Sequence, residues 1–236
     1  MNVLKRGVLF DNIHTFEKWG LILSHTDIGS PEPKIEKIDI PGADGELNFS
    51  NTLTGDVKYK NRNITFTFVT TKRYDLWKSL MSDILNFIHG QDFEKIVLDE
   101  DQNFYYKGSA EVNPLKSDKS IGTIVIECDV EPYKYDLISS DEDWLWDTFD
   151  FETGIINETR DLVVDGELEV SILGRRQKVV PKFVCENPLQ LIFNEQTYNL
   201  PAGGSYSPDI EICEGENILK FIGNGTVTIE YRGGSL

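Results

Sequence analysis

A mainly β protein with one α-helix is what this sequence predicts, and three observations predict it. Short runs of alternating apolar and polar residues recur along nearly the whole chain, as in Ile64-Thr65-Phe66-Thr67-Phe68. Pairs drawn from Gly, Pro, Asn and Asp punctuate those runs every few residues. One stretch alone, about Lys72 to Ile88, repeats its apolar residues at three- and four-residue spacing. With 236 residues, 39% hydrophobic and 27% charged, the chain has enough length for one large or two small globular domains.

Taken in order, residues 3–28 give two strand-like runs, around Val8-Leu9-Phe10 and Leu21-Ile22-Leu23, before Gly29-Ser30-Pro31 breaks the pattern. Ile38 and Ile40 then alternate with charged residues ahead of Pro41-Gly42-Ala43-Asp44-Gly45, and Leu47 and Phe49 alternate with polar residues after it. That pattern predicts a two-stranded ribbon. Ile64, Phe66 and Phe68 share one face of a better buried strand. A long ribbon needs something to lie against, and a free strand edge is a template for another chain. The expectation is a subunit that assembles with copies of itself.

The helix expected over Lys72–Ile88 carries a stripe of Leu76, Trp77, Leu80, Met81, Ile84, Leu85 and Ile88. Thr70 or Thr71 stands where a cap belongs, and Gly90 where a left-handed residue ends a helix. At about 1.5 Å per residue such a helix is roughly 25 Å long, enough to cover a sheet face. Lys95–Leu98 and Phe104–Gly108 flank the polar turn 99–103 as a hairpin, and Thr123–Val130 alternates cleanly. Cys128 shares a face with Ile124, Ile126 and Val130, which predicts a buried reduced thiol.

Domain boundaries follow from composition. Residues 1–137 hold 16 basic and 22 acidic side chains, while 138–236 hold 7 and 18. Residues 138–152 carry six acids, no bases, and Trp144, Trp146, Phe149 and Phe151, the makeup of a connector. Residues 153–236 read as a second domain of short strands: Asp161–Val164, Glu167–Leu173, Lys178–Cys185, Leu189–Phe193, Ile210–Ile212, Ile218–Ile222 and Thr226–Tyr231. Asp165-Gly166, Asn187-Pro188, Pro201-Ala202-Gly203-Gly204 and Gly223-Asn224-Gly225 are read as the turns between them. Such spacing favours a β-sandwich or jelly roll.

Chemistry is scarce. A net charge of −17 argues against nucleic-acid or anionic-membrane binding. Three scattered cysteines make neither a disulfide framework nor a zinc site. His14, His25 and His89 stand far apart, without a partner motif for nucleophilic or metal chemistry. Asp99-x-Asp101-x-Asn103 starts like a calcium loop but has Phe104 and Ala110 where the Gly and the last Glu are needed. No carboxylate pair is singled out for glycoside hydrolysis, so no catalytic residue, cofactor or metal ligand is assigned. Trp144, Tyr198 and Tyr206 are candidates for stacking on sugar rings, against the blander use of packing. No apolar leader or membrane-length run is seen, so four Asn-x-Ser/Thr triplets carry little weight and cytosolic synthesis is expected.

Several segments, in order, resemble the distal tail proteins of long-tailed (siphovirus) phages infecting Gram-positive bacteria, the phage tail component family. They are Pro33-Lys34; Ile38-Asp39-Ile40-Pro41-Gly42-Ala43-Asp44-Gly45 with Leu47 and Ser50; and Tyr59, Asn61-Arg62 and Ile64-Thr65-Phe66. Trp77, Leu80, Leu85 and Ile88-His89-Gly90 follow, then Leu98-Asp99-Glu100-Asp101, Tyr105-Tyr106-Lys107-Gly108 and Glu131-Pro132-Tyr133-Lys134. The resemblance covers residues 1–135 and the ending from Gly225; residues 138–222 are only compatible with it.

The resemblance implies an N-terminal β-sandwich or split-barrel domain forming a hexameric ring at the virion tail tip, with DNA passing through its lumen. Ile38, Ile40, Gly42, Gly45, Leu47, Phe49 and Tyr59 would belong to a belt between neighbouring subunits. The partners implied are the tail tube protein, the tape-measure protein and tail-associated hub proteins. The C-terminal domain would be a galectin-like or carbohydrate-module-like sandwich, with cell-wall saccharide as an alternative ligand.

Overall fold

The computed structural model describes residues 6–42, 44–48, 50, 55–70, 72–114, 116–117, 121–142 and 159–236. The chain divides into two compact units: Met1–Asp101, Tyr106–Pro132 and Leu236 form the first, and Gln102–Tyr105 with Tyr133–Ser235 the second.

In the first unit the strands are β1 (Val8–Phe10), β2 (Ile13–His14), β3 (Ile22–Ile28), β4 (Lys37–Asp39), β5 (Glu46–Asn48), β6 (Arg62–Thr70), β7 (Gln91–Leu98), β8 (Phe104–Val112, whose Phe104 and Tyr105 count with the second unit), β9 (Lys116–Ser117) and β10 (Gly122–Val130). The main sheet runs β2-β1-β7-β8-β10-β6-β3, with every pair antiparallel. The alternation in β6 and β10 puts Ile64, Phe66, Phe68, Ile124, Ile126 and Cys128 on one face, where all are buried. Against that face lies helix α2 (Trp77–Ile88), burying Trp77, Leu80, Ile84 and Ile88. A helix needs about one apolar stripe to do this, and the three-and-four spacing supplies it.

Two local features differ from expectation. A five-residue helix, α1 (Thr15–Trp19), sits between β2 and β3; it is too short to show a period in sequence. His14 accepts from the Glu17 N–H at its start, and Gly20 ends it at φ 67°. The second difference is where α2 begins. Residues Tyr74–Leu76 form a 3₁₀ turn, so Thr70 is not the cap of the helix, and Thr71 falls outside the described residues. The Trp77 indole N–H donates to Lys72 O at 2.7 Å, and Thr70 Oγ1 accepts from the Lys72 N–H. This local closure delays the α-helix and turns Leu76 outward, 49% exposed.

Strands of the second unit are β11 (Lys134–Asp136), β12 (Leu162–Gly174), β13 (Lys182–Cys185), β14 (Leu189–Phe193), β15 (Gln196–Leu200), β16 (Gly203–Tyr206), β17 (Gly215–Glu230) and β18 (Gly234–Ser235). A sheet ordered β15-β14-β17-β13-β16 carries β12 on β17, while β11 pairs with β18 and with Phe104 and Tyr105 of β8. Phe183, Leu191, Leu219, Phe221, Val227 and Ile229 fill the core, all fully buried.

Asp165-Gly166 and Gly223-Asn224-Gly225 are not turns. They face each other inside one long ladder, Asp165 opposite Asn224 and Gly166 opposite Gly223, so the four strands expected there are two. Glycines in a strand interior mark bends, and Gly223 and Gly225 hold φ 136° and 154°. Residues 220–222 of β17 pair with β14, and residues 227–230 pair with β13. One strand thus serves two partners across a glycine corner, as in packed sheets whose strands switch layers.

Other boundaries shift as well. The expected Lys178–Cys185 strand shortens to β13, and Ile210–Ile212 reduces to one bridge, Val179 to Ile212. The β14–β15 hairpin and β16 went unforeseen. Its two-residue loop, Asn194-Glu195, has both φ positive without a glycine, and Gly203-Gly204, read as a turn, lies in β16.

Cys128 is buried as a free thiol, and burial pushes its pKa up to about 12. The sign follows from linkage. Below the ordinary value of 9.0 both folded and unfolded chains keep the proton. As pH rises from about 9 to about 12 the unfolded chain loses it first, so stability falls by about 1.4 kcal/mol per pH unit. Urea unfolding at about pH 8 and about pH 10.5 should show a smaller loss in Cys128→Ala than in the wild type. Equal losses would rule out this origin.

Candidate assembly surface

The ribbon is an outgrowth of the β3–β6 pair. That ladder ends with Ile28 opposite Ile64; Gly29 N–H donates to Asn63 O at 2.9 Å, and Pro33 bridges Tyr59 farther out. Lys34 N–H donates to Lys58 O, and Lys60 N–H to Glu32 O. The arm ends in β4–β5, a two-stranded sheet with Ile38 opposite Leu47 and Asp39 opposite Glu46. Gly42 (φ 90°) and Gly45 (φ 82°) flank the reversal, conformations a side chain would strain.

Among the described residues, β4 and β5 pair with no other strand. Ile35, Ile38 and Ile40 are 54%, 53% and 44% exposed, and every described residue from Glu32 to Glu46 is exposed. Lys37 and Glu46 pair across the two strands at 3.0 Å. An isolated two-stranded ribbon is marginal in water, so apolar side chains spaced along both its approach and its strand point to an occupant.

Of the residues expected in the belt, Ile38, Ile40, Gly42 and Gly45 stand on this arm and half-buried Tyr59 stands at its base. Leu47 lies on β5, and Phe49 falls outside the described residues. Ile35 was missed; its signal was a lone isoleucine between Lys34 and Glu36.

The sugar-stacking candidates are not brought together. Trp144 falls outside the described residues. Tyr198 lies on β15, half-buried against the core, its hydroxyl donating to Gln196 Oε1. Tyr206, 69% exposed, lies on β16 at the other end of the strand order. A cleft of about 460 Å³ in the same unit is lined by Asp141, Glu142, Arg160, Val184, Thr228 and Glu230, a polar set without an aromatic ring.

Of the groups weighed for chemistry, Asp99, His14 and His89 have structural tasks. Asp99 accepts from the Gly7 N–H at 2.7 Å and faces His14 Nε2 at 3.1 Å, tying the turn 99–103 to β1 and β2. His89 Nδ1 accepts from the Val112 N–H. Among the described residues no group of three or more His, Cys, Asp and Glu side chains is placed to hold a metal ion.

No protein-family model matches the chain, and no curated protein matches it. The chain is similar in fold to the crystal structure of the SPP1 Dit (gp 19.1) protein, described as a paradigm of the hub adsorption apparatus in Gram-positive infecting phages. The likeness has a TM-score of 0.62 at 11% sequence identity and covers 96% of this chain and 98% of that one.

Proposed function

We propose that this chain is a non-enzymatic structural subunit of a phage or prophage tail tip. It forms a hexameric hub joining the tail tube to the adsorption apparatus, with a lumen through which DNA passes. The observation that carries this reading is the full-length likeness to a phage hub protein, both units included. The exposed arm supports it, because a ring subunit needs a surface that a neighbour completes. Residues 1–137 form the ring, 138–152 connect, and 153–236 stand as a peripheral domain.

Its partners are copies of itself, the tail tube protein, the tape-measure protein and tail-associated hub proteins. Synthesis takes place in the bacterial host cytoplasm, ahead of assembly into the virion. A net charge of −17 suits a conduit, since a wall that attracted phosphate would slow transit.

Sedimentation of the wild type at several concentrations, with electron microscopy, should reveal ring-shaped hexamers. Ile38→Asp with Ile40→Asp is expected to abolish them while leaving the melting temperature unchanged, because both residues are already exposed in the single chain. Unaltered rings in that variant would remove the arm from the interface.

A further inference from the structure

We propose that the turn Lys72–Lys78, ahead of and into α2, is the seat on a second copy of this chain for the β4–β5 arm. This rests on the ring reading above and names the surface that receives the arm. The turn is an exposed basic and aromatic feature on a strongly acidic protein. Lys72, Arg73 and Lys78 outnumber Asp75, for a local charge of +2 in a chain of −17. Tyr74 is 66% exposed and Leu76 49%, while Lys72, Arg73 and Lys78 are all exposed.

Its shape is preset. Trp77 is buried and donates its indole N–H to Lys72 O at 2.7 Å; the Tyr74 ring sits edge-on to it at 5.1 Å. Arg73 pairs with Asp75 at 3.2 Å. A rigid exposed Tyr and Leu rimmed by Arg and Lys have the composition of an interface anchor.

The arm is its complement. Residues 32–46 hold Glu32, Glu36, Asp39, Asp44 and Glu46 against Lys34 and Lys37, a local charge of −3. Ile35, Ile38 and Ile40 offer exposed apolar surface to match the exposed parts of Tyr74 and Leu76. Matching of this kind sets register and speeds encounter.

The seat is assigned to another copy because, within one chain, the arm's isoleucines and the turn's Tyr74 and Leu76 are all exposed and the two features leave opposite ends of the β3–β6 pair. The arm leaves the β3–β6 ladder beyond Ile28 and Ile64, whereas the turn leaves β6 beyond Thr70, at the end where Ile22 faces Val69. Six residues of strand separate those ends, roughly 20 Å. Joining two different patches of identical subunits is a head-to-tail contact, the kind that closes rings.

The test uses the full chain in three charge-reversed forms: K72E/R73E/K78E, E36K/D39K/D44K, and the two sets combined. Each set alone is expected to raise the concentration needed for rings about a hundredfold or more, with the combined form recovering them. Wild-type assembly should weaken between about 0.05 M and about 0.5 M salt. Leu76→Ser, a charge-neutral change at a position 49% exposed in the single chain, should weaken assembly with little change in the melting temperature.

Rings of unchanged concentration dependence in the turn variants, beside normal wild-type rings, would overturn the seat and leave the ring reading standing. Failure of the combined form to recover, with both parents folded, would also overturn the pairing. A wild type that forms no ring at any concentration would overturn both.

Discussion

Arg175→Met is expected to destabilise the C-terminal unit by about 3–5 kcal/mol at neutral pH. Arg175 meets Asp136 through two contacts of 2.7 Å, and the side chains are only 13% and 21% exposed. Its guanidinium also lies 5.1 Å from the Phe104 ring centre. Arg232 donates to Leu137 O and Asp136 O and sits over Tyr105, while Asp136 N–H donates to Gly233 O. A Cβ on Gly233 would stand 2.5 Å from Asp136 Oδ2, so the chain end needs glycine to lie against this pair. Removing the arginine leaves a buried carboxylate without its bidentate partner.

The pH response has a definite sign. Burial already raises the Asp136 pKa above its usual value, against the pull of Arg175, Arg232 and Lys134. In the variant that pull is weaker and the folded pKa higher still. A carboxyl with a raised folded pKa stabilises the fold below its unfolded value and loses that contribution as pH rises through the folded one. Arg175→Met should therefore regain stability as pH falls toward about 4. Urea unfolding at several pH values checks both claims, and a cost below about 1 kcal/mol would reduce the pair to a surface bridge. Arg176→Ala, which breaks the more exposed 3.2 Å contact with Glu214, is expected to stay within about 1 kcal/mol.

Phe66→Ala should cost the N-terminal unit about 3–5 kcal/mol. Phe66 is fully buried at the centre of β6, opposite Ile126 on β10 and Thr26 on β3. Its ring meets Phe10 edge-on at 6.3 Å and lies the same distance from Phe68, so truncation removes transfer energy and leaves a cavity lined by rigid rings. Phe66→Leu, which keeps most of the volume, should cost less than half as much. Thermal and urea unfolding read the difference; similar losses for both variants would mean ring geometry, not volume, sets the cost.

The arm and β6 were legible because a period of two with turn residues at each end is a local signal. The helix was legible for the same reason, and its late start was not. That start depends on the Trp77 indole reaching back to Lys72, which apolar spacing does not encode. Gly223-Asn224-Gly225 misled for a related reason. The residues favour a hairpin in isolation, but Asp165-Gly166 lies opposite at the same level and the ladder continues through both.

By itself, then, the sequence determined the strand-rich class, the one long helix, the apolar faces of β6 and β10, and an arm with isoleucines among charges. All of these are properties of residues within a few positions of one another. Tertiary structure alone decided that Asp136, Arg175 and Arg232 would meet, that Asp99 would hold Gly7 and His14, and that one strand would turn a glycine corner to serve two partners. Those contacts join residues tens of positions apart. Their stability comes from burial that exists only once both partners have left water.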